Sequence, residues 1–179
     1  MLKPKSVFWS IAILLAFSSC KKKEEPKPAL LPAETQTGKM IAACRVNNQN
    51  WVVDESKVFP NKPFIVTYDS NKKSLFLLVY NKQDGKTDIL EITINGFEAT
   101  GEYPLFVPNT TNDKPHSAGT FVSNYQCTQY RFKQGKVRIT KLDKTNKIIS
   151  GKFEFTSPEM TGEACKEVKI TEGFFDVKY

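Results

Sequence analysis

One histidine, His116, serves the whole chain of 179 residues. Ser-His-acid and Cys-His mechanisms need a base beside the nucleophile, so a hydrolase of either kind would have to be built on that residue. It follows Lys114-Pro115 in a stretch of Asn109, Thr110, Thr111, Asn112 and Asp113, where an exposed loop side chain is the plain reading. No second histidine can share a metal with it, and the four cysteines lack the short spacing of a zinc site. Asp143-Lys144-Thr145-Asn146 is too short and too poor in oxygen ligands for a calcium loop and reads as a hairpin turn. Paired carboxylates for glycoside cleavage are defined by their separation in space, which the order of residues does not give. A glycine-rich phosphate loop, internal repeats, sustained helical periodicity and apolar runs of eighteen residues are all missing. No cofactor, no metal and no enzymatic activity are therefore expected.

What is present begins at the N-terminus. Lys3 and Lys5 precede an apolar run from Val7 to Phe17 that is interrupted only by Ser10, and Ser18-Ser19-Cys20 follows. Eleven helical residues rise about 17 Å against a hydrocarbon core of about 30 Å, too short to span. A basic start, a short apolar centre and small residues before a cleavage point describe a secretory leader over residues 1–19. Ser18-Ser19-Cys20 also resembles the lipobox of bacterial lipoproteins, although Phe17 stands where a leucine is usual. In that motif a diacylglycerol is joined to the cysteine by a thioether before cleavage. The resemblance makes Cys20 the lipid attachment site and the lipid the means of membrane attachment. Lys21 is not Asp, which favours the outer membrane, on its periplasmic face or at the cell surface. Lys21-Lys22-Lys23-Glu24-Glu25 resembles the charged stretch that directs Bacteroidota lipoproteins to the surface, and a solvated spacer near anionic head groups reads equally well.

Residues 20–38 then hold Pro26, Pro28 and Pro32 among charged and small residues, a composition that buries too little to fold. Lys21 to Gly38 would reach at most about 60 Å at about 3.3 Å per residue, as a tether. The whole chain carries +7, but from Lys39 onward 20 basic residues face 16 acidic ones. Lysines alternate with acids, as in Lys166-Glu167 and Lys152-Glu154, the pattern of a solvated sheet surface. No nucleic-acid stripe is present.

From Lys39 to Tyr179 the apolar period is two, with turn residues between runs. Ala42, Cys44 and Val46 share a face opposite Arg45, and Asn47-Asn48-Gln49-Asn50 turns the chain back into Trp51. Leu75 to Val79 is apolar on both faces and should be central. Gln83-Asp84-Gly85-Lys86 is a hairpin turn by its Asp-Gly pair. Phe153 and Phe155 alternate with Lys152 and Glu154, and Gly151 within that run predicts a bulge or bend. The expected fold is all-β, an antiparallel sandwich or barrel of about ten strands over residues 39–179, with no substantial helix.

The stretches Gly135 to Asp143 (GKVRITKLD), Ile148 to Phe155 (IISGKFEF) and Ile170 to Tyr179 (ITEGFFDVKY), with Gly101 to Leu105 before them, resemble a family of Bacteroidota lipoproteins whose C-terminal β domain is of unknown function. The resemblance implies a lipoprotein and a β domain; its motifs are strands and turns and bring no catalytic residue.

The expectation is an outer-membrane lipoprotein acting as a non-enzymatic binding or structural module, with a glycan, a peptide or an envelope protein as partner. The alternative is a calycin-like barrel carrying a small apolar molecule in an unfilled cavity; an envelope hydrolase ranks third because of the single histidine. The loop from Tyr103 to His116 is the candidate contact surface, with Tyr103, Phe106 and His116 as its ligand-binding residues. Trp51, Tyr68, Tyr80 and Tyr125 could likewise stack on a sugar, although aromatic residues in strands usually fill the core. Among the domain's three cysteines, Cys127 and Cys165 fall opposite the apolar positions of their runs, whereas Cys44 falls with Ala42 and Val46. This parity predicts a Cys127–Cys165 disulfide and a buried, inert Cys44. Closing that loop of about 39 residues should add roughly 4 kcal/mol. A non-reduced digest should contain the linked peptides, and a digest with both thiols free would reject the pairing.

Overall fold

Alternating apolar residues and short polar turns deliver ten strands. The computed structural model describes residues 29–57, 62–83, 85–105, 117–123, 134–157 and 167–179. In chain order the strands are β1 (Ile41–Val46), β2 (Gln49–Asp54), β3 (Phe64–Asp69), β4 (Ser74–Gln83), β5 (Lys86–Asn95), β6 (Gly101–Leu105), β7 (Ala118–Ser123), β8 (Gln134–Asp143), β9 (Ile148–Ser157) and β10 (Val168–Lys178), with one 3-10 turn at Glu55–Lys57. They form a six-stranded sheet, β2-β1-β10-β9-β8-β6, and a four-stranded sheet, β3-β4-β5-β7. Every pairing is antiparallel.

Of the sandwich and the barrel that the strand pattern allows, the two sheets make the sandwich. Leu75, Leu77, Val79, Leu90, Ile92 and Ile94 of the small sheet meet Ala42, Cys44, Phe153, Phe155, Phe175 and Val177 of the large one in a single core. The barrel alternative is thereby corrected: the sheets remain separate, and side chains fill the space that a calycin-like barrel would leave for a ligand. β4 lies between β3 and β5, with Leu75, Leu77 and Val79 fully buried and Phe76, Leu78 and Tyr80 half-buried on the opposite face, as its two-sided apolar run requires.

Turn residues set the registers. Asn47 and Asn48 adopt φ of 48° and 68°, and Val46 pairs directly with Gln49. The turn is therefore two residues rather than the four expected, and its left-handed pair, which asparagine tolerates, matches the twist of a hairpin. Asp69 Oδ1 accepts hydrogen bonds from the Asn71 and Lys72 amides, each at 2.9 Å, and these lower its pKa, the Lys72 amide contributing most. Asp143 works alike: it accepts from the Asn146 amide at 2.9 Å and from Asn146 Nδ2 at 2.8 Å, closing the β8–β9 hairpin.

Two bulges bend the large sheet. One extra residue falls between Ile170 and Gly173 in β10, where it shifts the register against both neighbours, β1 and β9, and one falls between Ile139 and Lys141 in β8. The irregularity expected at Gly151 lies directly across from it, since Ile139 pairs with Gly151 and Lys141 with Ser150, leaving Thr140 as the extra residue. Each bulge inverts the inward face, so β10 buries Ile170 before its bulge and Phe175 and Val177 after it. Gly151 and Gly173 make room for the stacked Phe153–Phe175 pair, whose centroids are 6.4 Å apart. A Cβ on Gly173 would lie 2.5 Å from the Phe153 ring and 2.6 Å from its carbonyl oxygen, so backbone as well as ring would have to shift. Gly173→Ala should lower unfolding free energy by about 2 kcal/mol in urea titrations, with the far-ultraviolet spectrum of the native state unchanged.

Candidate functional site

The outer face of the large sheet is crossed by the segment that precedes β1. Sequence composition assigns Lys21 to Gly38 to a tether, but residues 29–38 depart from that expectation and lie along the sheet as a strap. Leu31 packs on Ile41, Ala43 and Phe174, with Val52 beside them, in a small second core outside the sandwich. Glu34 accepts from Lys152 Nζ at 2.8 Å, Gln36 Nε2 donates to Thr140 Oγ1 at 3.1 Å, and Lys141 Nζ donates to the Gln36 carbonyl at 2.8 Å. Near the start of the strap, Asn50 Nδ2 donates to the Ala29 carbonyl at 2.8 Å.

The strap ends on one buried acid. Asp176, fully buried in β10, accepts from Thr35 Oγ1 at 2.6 Å, the Thr37 amide at 2.9 Å and the Lys39 amide at 3.1 Å on Oδ2. On Oδ1 it accepts from the Gly38 amide at 2.9 Å and from Ser150 Oγ at 2.8 Å. Three successive amides aim at one carboxylate because the backbone turns left-handed at Gly38, with φ of 73°, and at Met40, with φ of 60°. This is an anion-binding nest whose anion is a side chain of the same molecule. Burial is the largest single influence on Asp176 and raises its pKa; the hydrogen bonds from Thr35, Lys39, Ser150 and Gly38 together outweigh it and hold the carboxyl below the ordinary 3.8.

Beside the strap runs an open groove of about 450 Å³, bordered by Leu31, Glu34, Glu102, Arg138, Lys152 and Phe174. A second groove of about 500 Å³ continues past Arg138 and Lys152 toward Thr100 and Gly101. Several acids and bases along this face are paired: Lys136 with Glu102 and Glu154, each at 3.5 Å, Lys152 with Glu34, and Arg45 with Glu172 at 2.9 Å. Such exposed pairs contribute roughly 0–1 kcal/mol each. Arg138 pairs with no acid among the described residues.

The residues singled out from sequence lie elsewhere. The Tyr103 ring packs edge-on against Phe97 at 5.7 Å, and its hydroxyl donates to the Ala99 carbonyl at 2.7 Å, closing the turn into β6. Phe106, His116, Tyr125, Cys20, Cys127 and Cys165 lie outside the described residues. Trp51 is in the core, edge-on to Phe121 at 5.8 Å, and its indole N–H has no acceptor among the described residues. Tyr68 is held edge-on between Phe97 and Tyr179. Cys44 is buried, and burial pushes its thiol up to about 12, which keeps it protonated and inert as a nucleophile. Sequence reasoning missed Asp176 and Arg138. The available signals were a lone acid inside the apolar run Phe174-Phe175-Asp176-Val177 and, for Arg138, none without the register.

Residues 66–177, from within β3 to near the end of β10, match a family described as a domain of unknown function, DUF6252. The chain belongs to the DUF6252 family. No curated protein and no solved structure matches it. The DUF6252 match includes Asp176, Ser150, Arg138 and Lys152, while the strap and β1–β2 precede it.

Removing the carboxylate tests the strap. Asp176→Ala should cost about 3 kcal/mol, because it leaves buried amides without an acceptor. The native carboxyl has the lowered pKa, so its contribution is complete above the unfolded value near 4 and disappears as pH falls through the lower folded value. Urea titrations between pH 7 and pH 2 should therefore show a steeper acid loss in the native protein than in Asp176→Ala.

Proposed function

We propose that this DUF6252 protein is a lipoprotein of the outer membrane, anchored through Cys20, and that its domain is a non-enzymatic module that binds a peptide, glycan or envelope protein in the groove beside the strap. The observation that carries this reading is the strap itself. The chain that follows Cys20 is built into the sheet by four hydrogen bonds to Asp176 and by the Lys152–Glu34 pair. A load on the N-terminus is delivered to the middle of the sheet, and Lys21 to Pro28 is the only stretch between the proposed lipid and Ala29. Those eight residues reach at most about 27 Å at about 3.4 Å each, so the domain stays near the bilayer.

The bacterial lipobox resemblance supplies the anchor: three acyl chains, each buried methylene contributing roughly 0.8 kcal/mol, hold a protein on a membrane without a spanning helix. The inert Cys44 thiol supports a binding rather than a catalytic role. Strand ends support the Cys127–Cys165 disulfide proposed from parity. Gln134 pairs with Thr156, and Ser157 pairs with Val168, so the strands into which these two segments lead, β8 and β10, flank β9 at one end of the sheet.

Growth with an alkyne-bearing fatty acid should label the native protein and leave it in the outer-membrane fraction. Cys20→Ala should remove the label and release the protein from that fraction; a variant that stays labelled and membrane-bound would overturn the anchor.

A further inference from the structure

The two ends of the sandwich are closed differently. At the end where β10 finishes, Tyr68 is held edge-on by Phe97 at 5.3 Å and by Tyr179 at 5.0 Å, so aromatic rings plug the core. At the other end the apolar layer stops at Trp51, Val79, Leu90 and Phe121. Two residues further along β2, β4, β5 and β7, on the same inward face, stand Gln49, Asn81, Asp88 and Ser123. With Trp51 and Phe121 they border an open cavity of about 620 Å³ whose walls come from both sheets, a volume usual for small-molecule sites.

Polar residues at the end of a core are ordinary where they meet water. What sets this end apart is the hydrogen bonds that its residues leave unmade. Asn81, Asp88 and Ser123 stand side by side across β4, β5 and β7. Ser123 Oγ donates to Asp88 Oδ1 at 2.6 Å, which orients the carboxylate and leaves Oδ2 without a donor among the described residues. The side chains of Asn81 and Gln49 likewise have no protein partner among the described residues. Trp51 is only 5% exposed, and its indole N–H meets no acceptor among the described residues, which is costly for a buried donor.

These groups select a ligand by charge and by donor count. Asp88 is the only charged residue on the cavity wall among the described residues, so an anion would meet a carboxylate and no cation. A bare cation could pair with Asp88 but could not accept from the Trp51 N–H. An uncharged molecule rich in hydroxyls meets both demands, because each hydroxyl donates and accepts. We propose that this end of the sandwich binds a neutral saccharide. Its hydroxyls donate to Asp88 Oδ2 and exchange hydrogen bonds with Asn81 and Gln49, and one of its oxygens accepts from Trp51 Nε1. That N–H is shielded from water, so the sugar reaches it as the side chains around the indole shift on binding. The site shares no residue with the groove beside the strap and does not depend on that groove having a partner.

The test uses the full chain in detergent micelles, titrated with maltose, cellobiose and chitobiose and, as charged controls, with putrescine and inorganic phosphate. Binding is followed by the Trp51 indole resonance and the side-chain amide resonances of Asn81 and Gln49. At least one sugar should shift them saturably. Asp88→Asn should weaken that sugar about tenfold, and Trp51→Phe, which removes the N–H and keeps a ring, about fivefold. Lys72→Glu in the distant β3–β4 turn should leave it unchanged. Sugar binding indifferent to either cavity substitution, or putrescine or phosphate bound there as tightly as the sugar, overturns the proposal. Sugar shifts centred on Arg138 and Lys152 also overturn it and place the sugar in the strap groove. No response to any of the three sugars overturns this site alone.

Discussion

A carboxylate without a cation organises the outer half of this molecule. Asp176 is fully buried, and a buried charge is tolerated only where its lone pairs are met. Five donors meet them here, three from the strap, one from the Lys39 amide that follows it and one from Ser150. The dependence runs both ways. Without the strap the acid would face a sheet surface whose neighbours are Ile41 and Phe174; without the acid, the Thr37, Gly38 and Lys39 amides would converge on nothing. The second small core under Leu31 and the Lys152–Glu34 pair follow from this clasp, because it fixes where the segment crosses the sheet.

How much of this was legible in the sequence depends on the range of the physics involved. Ala42 and Cys44 in β1, Phe153 and Phe155 in β9 and the Asp143 turn are set by local alternation and local turn chemistry, and their placement could be read directly. Gly151 correctly signalled an irregular ladder, although the extra residue is Thr140 on the facing strand. The β10 bulge at Thr171 and Glu172 was invisible, because Val168 and Ile170 continue an alternation that simply changes face before Phe175. The strap was misread for a related reason: its composition is that of a tether, and what orders it is a partner about 140 residues away in sequence. Long-range hydrogen bonding leaves no periodic trace. Arg138 shows the same limit, since its place opposite Lys152 exists only once β8 and β9 are in register.

The DUF6252 match and the clasp divide the chain differently. The matched residues 66–177 contain the carboxylate and Ser150, whereas the three amides and Thr35 come from residues ahead of the match. The strands that complete the six-stranded sheet, β1 and β2, also precede it. As a physical unit the domain begins at the strap, since the outer face around Asp176 is incomplete until residues 35–39 are in place. The same geometry ties the proposed membrane anchor to the groove, because one segment carries both Glu34 and the path toward Cys20.

Amide hydrogen exchange at Gly38 and Lys39 tests the central claim most directly, comparing the native protein with Asp176→Asn at neutral pH. In the native protein both amides should exchange as slowly as those of the sheet core, such as Ile149. In Asp176→Asn they should approach unprotected rates while Ile149 stays protected, because the amide substituent presents hydrogens where the nest requires acceptors. Fast exchange at Gly38 and Lys39 in the native protein, or equal protection in the two proteins, would contradict the clasp.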